Sequence, residues 1–150
     1  MRIAVTGGSG KVGTAVCREM VSRGHDVTNL DRRPPADGAA GTFIEVALGQ
    51  RERVRELFAG VDAVAHLGEI PNVAAGTSPD EVYAENTRTG ATVMQAAADL
   101  KLRRLVYTSS AQVYGMWGGT FAAPKHLPFD ETHPIAPHNA YARAMSWTCT

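Results

Sequence analysis

Short apolar runs recur along the chain, and between them apolar residues return at the three-and-four spacing of a helix face. The runs predict strands over Arg2–Thr6, His25–Leu30 with Asp31 at its end, Thr42–Leu48, Val61–Leu67 and Arg104–Ser110. Helical spacing predicts a helix over Lys11–Arg23, with Val12, Ala15, Val16, Cys17 and Met20 on its apolar side and Gly24 closing it. A short charged helix follows over Arg51–Phe58. A long one covers Pro79–Leu100, with Tyr83, Ala91, Val93, Met94 and Ala97 apolar. Arg32–Gly41 and Gly68–Ser78 are loops, Gly115–Asn139 is a longer one, and Tyr141 opens a further helix. Strands that alternate with helices imply an α/β fold, a doubly wound parallel sheet with right-handed crossovers.

Composition narrows the class. The chain has 150 residues, 44% of them hydrophobic and 20% charged, which suits one globular domain over 1–150. Formal net charge is +0, so no basic field exists to hold nucleic acid or an anionic membrane. No apolar stretch approaches the roughly 20 residues that span a bilayer. Met1 leads at once into a strand and a glycine turn, unlike a secretory leader. Cys17 and Cys149 stand far apart and read as two unpaired thiols of a reducing compartment, the cytoplasm.

Chemistry gathers at the predicted strand ends. Thr6-Gly7-Gly8-Ser9-Gly10-Lys11-Val12-Gly13 follows directly on Ile3-Ala4-Val5, a strand running through a glycine turn into a helix. Backbone amides of such a turn can approach a pyrophosphate at the positive end of the helix. Gly7 permits the turn, Gly10 the approach of phosphate, and Gly13 the packing of helix on strand. Asp31 lies 24 residues after Gly7, where a carboxylate can accept both hydroxyls of an adenine ribose and repel a 2′-phosphate. An aspartate that merely forms the turn before Arg32-Arg33-Pro34-Pro35 is the bland alternative. Arg32 or Arg33 could stack on adenine or grip a 2′-phosphate, which keeps NADP open beside NAD. The ends Thr6-Gly7, Asp31, Leu48, His66-Leu67-Gly68 and Ser109-Ser110 should lie along one rim. His126, His133 and His138 fit no familiar zinc spacing and read as solvated loop residues, so no metal is expected.

Five motifs occur in a fixed order: the glycine turn, Asp62-x-Val-x-His-Leu67, Asn86-x-x-x-Gly90, Ser109-Ser110-Ala-Gln-Val-Tyr-Gly115 and Pro137-x-x-x-Tyr141. In these the chain resembles the extended short-chain dehydrogenase/reductases, specifically the NAD-dependent epimerase/dehydratase family. The resemblance implies a Rossmann-like fold, here without the family's last strands and C-terminal substrate domain. It implies that Gly7, Gly10, Lys11, Val12 and Gly13 bind pyrophosphate, that Asp31 and Arg32 lie at the adenine ribose, and that Leu48, Leu67 and Gly68 run beside the cofactor. Ser110 would orient a substrate oxygen of a nucleotide sugar or related polyol, and Tyr141 would exchange its proton. Asn86 would pin the long helix near the site, while Tyr107 and Tyr114 would serve packing.

Two departures matter. Val46-Ala47-Leu48 stands where the family has Gly-Asp-Leu, so a carboxylate for the adenine amino group is absent. Met145 stands where the family places a lysine one turn after the tyrosine. Arg143 cannot stand in for it, since residues two apart point to opposite sides of a helix. An unassisted phenol, with a reference pKa of about 10, is only about 0.1% ionised at pH 7. The sequence therefore leaves two readings: an epimerase, dehydratase or dehydrogenase of this family, or a catalytically silent NAD(P)-binding module or remnant. The family's usual dimer is doubtful in either case.

Overall fold

In the computed structural model, residues 1–38, 40–71, 76–116 and 123–146 are described. The readings placed on Cys149 and on the tail after Ser146 lie outside them. The chain forms two compact units, Met1–Glu69 with Arg88–Thr108, and Ile70–Thr87 with Ser109–Thr150.

The first unit is a five-stranded parallel sheet: β1 (Arg2–Thr6), β2 (Asp26–Asp31), β3 (Thr42–Glu45), β4 (Ala63–His66) and β5 (Leu105–Tyr107). Their order is β3-β2-β1-β4-β5. The chain thus winds outward from β1 to β3 and returns to β4 on the other side of β1. Helices α1 (Lys11–Ser22) and α2 (Arg51–Phe58) connect these strands, and α3 (Pro79–Asp99) leads towards β5. The alternation of strand side chains sorts the core into two faces. Ile3, Val5 and Val27 pack with Cys17, Val16 and Met20 of α1. Ala4, Leu30 and Val64 pack on the other face with Val54 and Phe58 of α2 and Val93 and Ala96 of α3. This is the Rossmann-like, doubly wound arrangement that the pattern predicts.

The elements differ from the expectation most clearly in three places. β3 stops at Glu45; Val46 N still donates to Asp31 O at 2.9 Å, after which Val46 and Leu48 turn inward and are buried. β5 stops at Tyr107, and Ser110 instead caps a 3-10 helix over Ala111–Tyr114, which the periodicity does not reveal because a single turn has no period. On α1 the inward side is Val16, Cys17 and Met20, while Val12 is 60% exposed.

In the second unit, Ser78 and Glu81 cap the start of α3 reciprocally: Ser78 Oγ accepts from Glu81 N at 3.2 Å and Glu81 Oε2 accepts from Ser78 N at 2.7 Å. The 3-10 helix packs on α4 (Ala140–Ser146) through Val113, Ala144 and Met145. Residues 123–139 are ordered around His133, which is 5% exposed and stacks on Phe129 with centroids 4.2 Å apart. His133 Nε2 accepts from Lys125 N at 2.9 Å, so its proton sits on Nδ1 and meets Pro134 O at 3.1 Å. This corrects the solvated reading of that histidine: an aromatic neighbour and two backbone groups bury it.

Candidate functional site

β1 ends at Thr6 and the chain reverses at Gly7, whose φ of 70° glycine adopts without strain. Gly7 N donates to Leu30 O at 2.8 Å, and Gly7 O accepts from Gly10 N at 3.0 Å, closing the turn. Gly10 is the extended N-cap residue of α1 and offers no side-chain cap. The amides of the first helical turn therefore have no acceptor within the helix, and the positive helix end lies at the strand ends. Gly13 is buried, and a Cβ there would overlap Gly7 O and approach Gly8 Cα to 2.6 Å. At Gly10 a Cβ would meet only Gly7 O, at 3.2 Å, so the protein leaves the space above the turn otherwise open. Lys11 and Val12 are exposed beside it.

Two side chains of β2 fix this turn. Asp31 Oδ2 accepts from Ser9 N at 3.1 Å, and its Oδ1 accepts from Arg32 N at 2.7 Å. Asn29, 1% exposed, donates from Nδ2 to Ser9 Oγ at 3.1 Å. The Asp31 carboxylate is thus held at the rim, aimed at the turn, while the Arg32 and Arg33 side chains are exposed. Ser9 and Asn29 went unselected in the sequence reading. The available signal was a polar residue on the same strand face as Val27.

At the end of β4 a Cβ at Gly7 would approach Gly68 Cα to 2.6 Å, and one at Gly68 would overlap Leu48 Cδ1. The turn and the β4 end are therefore in backbone contact. Leu48 lies beyond the end of β3 and is 6% exposed, so it fills the core against Gly68 instead of closing a strand at the rim.

Around Gly68 lies a buried polar cluster in which the sequence reading places His66 at the rim but does not select Glu69. His66 is 0% exposed; its Nδ1 lies 2.6 Å from Thr6 Oγ1, its cross-strand neighbour. Its Nε2 faces Glu69 Oε1 at 4.0 Å, and the Glu69 side chain is 6% exposed. Neither of these two atoms has a hydrogen-bond partner among the described residues. Tyr107 packs edge-on against His66, centroids 4.6 Å apart. Burial lowers His66 to about 4 and raises Glu69 to about 7. The signal was a carboxylate, Glu69, set between Gly68 and Ile70 just past the predicted strand.

In the second unit Ser110 and Tyr141 stand on segments tied together by Asn139. Its Nδ2 donates to Gln112 Oε1 at 2.9 Å, while its Oδ1 accepts from Ala142 N at 2.8 Å and caps α4. Ser110 Oγ accepts from Gln112 N at 3.2 Å. Met145, one turn after Tyr141, is 0% exposed and packs with Val113 and Ala144, with Tyr114 and Tyr141 against them. Asn86, also 0% exposed, grips the backbone of Ile70, accepting from its N at 2.8 Å and donating to its O at 3.0 Å. Among the described residues no group of three or more histidine, cysteine or acidic side chains could hold a metal ion.

Residues 3–150 match the model of the NAD dependent epimerase/dehydratase family. The chain belongs to this family. It is 32% identical to a UDP-glucose 4-epimerase of Drosophila melanogaster, over 88% of this chain and 41% of that protein. It is 29% identical to the UDP-glucose 4-epimerase of Bacillus subtilis, over 95% of this chain and 44% of that one. A short-chain dehydrogenase/reductase superfamily protein of Agrobacterium tumefaciens with bound NAD has the same fold, with a TM-score of 0.83 at 31% identity, covering 97% of this chain and 42% of its own. UDP-glucose 4-epimerase of Stenotrophomonas maltophila, with bound NAD and formylated UDP-arabinopyranose, superposes with a TM-score of 0.82 at 26% identity, covering 99% and 46%. This family member thus spans less than half the length of each of these four proteins. No helix among the described residues is long and apolar enough to cross a membrane.

Proposed function

We propose that this chain binds NAD along the β2–β1–β4 rim and supplies the nucleotide half of an epimerase- or dehydratase-type site for a nucleotide sugar. The observation that carries the reading is the turn itself: open space at Gly10, uncapped helix amides, and an Asp31 carboxylate oriented beside them. Gly7, Gly10, Lys11, Val12 and Gly13 would hold the pyrophosphate, Asp31 the adenine ribose with Arg32 beside it, and Leu67 and Gly68 the path towards β4. Bound there, the dinucleotide supplies a hydride acceptor and donor. Ser110 would orient a substrate oxygen, and Tyr141 would take and return its proton. Cys17 is buried, and burial pushes its thiol up, which makes it an inert core residue here.

Calorimetric titration tests the cofactor. NAD should bind more tightly than NADP, because Asp31 would meet a 2′-phosphate as a like charge, and Asp31→Ala should narrow the gap. Tighter binding of NADP overturns the assignment and makes Arg32 the dominant residue.

Met145 favours a second reading, in which the chain binds the dinucleotide without turnover. Fully buried with Val113 and Ala144 one turn after Tyr141, its thioether supplies no ammonium where the family places a lysine. On that reading UDP-glucose turnover by the chain is negligible, and Met145→Lys alone does not restore it. Turnover at ordinary enzyme rates excludes the silent form.

A further inference from the structure

The strand order gives the two halves of a dinucleotide different neighbours. With the adenine ribose at Asp31 on β2 and the pyrophosphate at the β1 turn, the remaining half runs onto β4, across the point where the winding reverses. The first residue beyond the glycine contact there is Glu69, whose amide donates to Leu67 O at 3.0 Å. Its carboxyl is almost fully buried, and one oxygen has no hydrogen-bond partner among the described residues. Among the described residues, the titratable groups beside it are His66 from β4, at 4.0 Å, and Tyr107 from β5, and the Thr6 hydroxyl of β1 lies against His66.

We propose that Glu69 sets the preference between the oxidised and reduced dinucleotide, its buried carboxyl releasing a proton to solvent when the cationic nicotinamide ring binds and keeping that proton when the ring is neutral. The inference rests on the reading of the glycine turn as a dinucleotide site. NAD+ and NADH share every phosphate, ribose and adenine contact, so a difference in their proton linkage reports on the ring's charge alone. Glu69 is suited to respond, because burial places its ionisation at about 7 and holds His66 neutral there. A carboxyl balanced between its two forms gives the largest response to a nearby charge, and low local dielectric lengthens the reach of that charge.

The test is titration of the full chain with NAD+ and with NADH from pH 6 to pH 8. The affinity ratio of NAD+ to NADH should rise roughly fivefold across that range, the change expected when bound cation makes the carboxyl about tenfold more acidic. NAD+ binding near neutral pH should release protons, seen as a dependence of the binding enthalpy on buffer ionisation, and NADH binding should release fewer. In Glu69→Gln, which keeps the shape, the ratio should be flat. A flat ratio in the unaltered chain overturns the proposal, as does a slope that survives in Glu69→Gln. Should Glu69→Gln fail to fold, proton release by the unaltered chain decides. If neither nucleotide binds, the dinucleotide reading falls and Glu69 with it; if both bind with equal linkage, only the role of Glu69 falls.

Discussion

Gly13 shows how a single missing methyl group can define a site. A Cβ there would collide with backbone, Gly7 O and Gly8 Cα, which no side-chain rotation relieves. Gly13→Ala should cost about 1–3 kcal/mol of stability in urea unfolding and should abolish dinucleotide binding, since helix and turn must separate. Gly10→Ala, whose Cβ has only one tight neighbour, should leave stability nearly unchanged while weakening binding. His66 and Glu69 make a second prediction with opposed signs. The folded state resists protonating His66, whose value falls from 6.5 to about 4, so this group adds stability as pH rises across that interval. The folded state holds a proton on Glu69, raised from 4.5 to about 7, so this group loses stability as pH rises across its interval. The two slopes cancel where the intervals overlap, and folding stability should be nearly flat there. Glu69→Gln removes the falling term, and stability should then climb by up to about 3 kcal/mol from pH 4 to 6.5, measured by chemical denaturation.

Among the elements, α3 is held at its start by a capping box and along its length by Asn86. Replacing Asn86 with alanine strands both the N–H and the C=O of the half-buried Ile70, where a fully buried orphan would cost about 1–3 kcal/mol each. The loss should appear as a lowered midpoint in thermal unfolding. Regular elements were legible in the sequence wherever period and punctuation agreed: β1 with its glycine turn, α2, and α3 behind Ser78-Pro79 all lie where the pattern puts them. Less was legible where contact over long sequence distance decides. Leu48 reads as a strand residue until Gly68 is seen to lack the Cβ that would exclude it. His133 reads as a loop residue until Lys125, Phe129 and Pro134 close around it. The roles of the glycines and Asp31 could be anticipated because local spacing sets them. The Thr6, His66, Glu69 and Tyr107 cluster could not, because three separate strands build it.

Across the whole molecule, β5 is the outermost strand on its side of the sheet, and Val106 on it is 66% exposed. An edge with free backbone groups beside an apolar side chain is a template for pairing with a second copy. The chain should therefore self-associate at micromolar concentration in analytical ultracentrifugation, and Val106→Lys should shift it towards monomer. A stable monomer in the unaltered chain, with β5 amides protected from exchange, contradicts this. The boundary between the two units falls inside α3, between Thr87 and Arg88, so neither unit is a contiguous piece of chain. This matters for synthesis. A ribosome that has made β1 to β4 has not yet made Val93 and Ala96, which complete the α2 face of the core, nor β5. The nascent sheet must wait, with that face and one edge open to water, until residue 108 has emerged, and residues 70–87 must pass by unincorporated in the meantime. At about 5–20 residues per second the exposure lasts a few seconds, an interval in which a chaperone has a defined surface to hold.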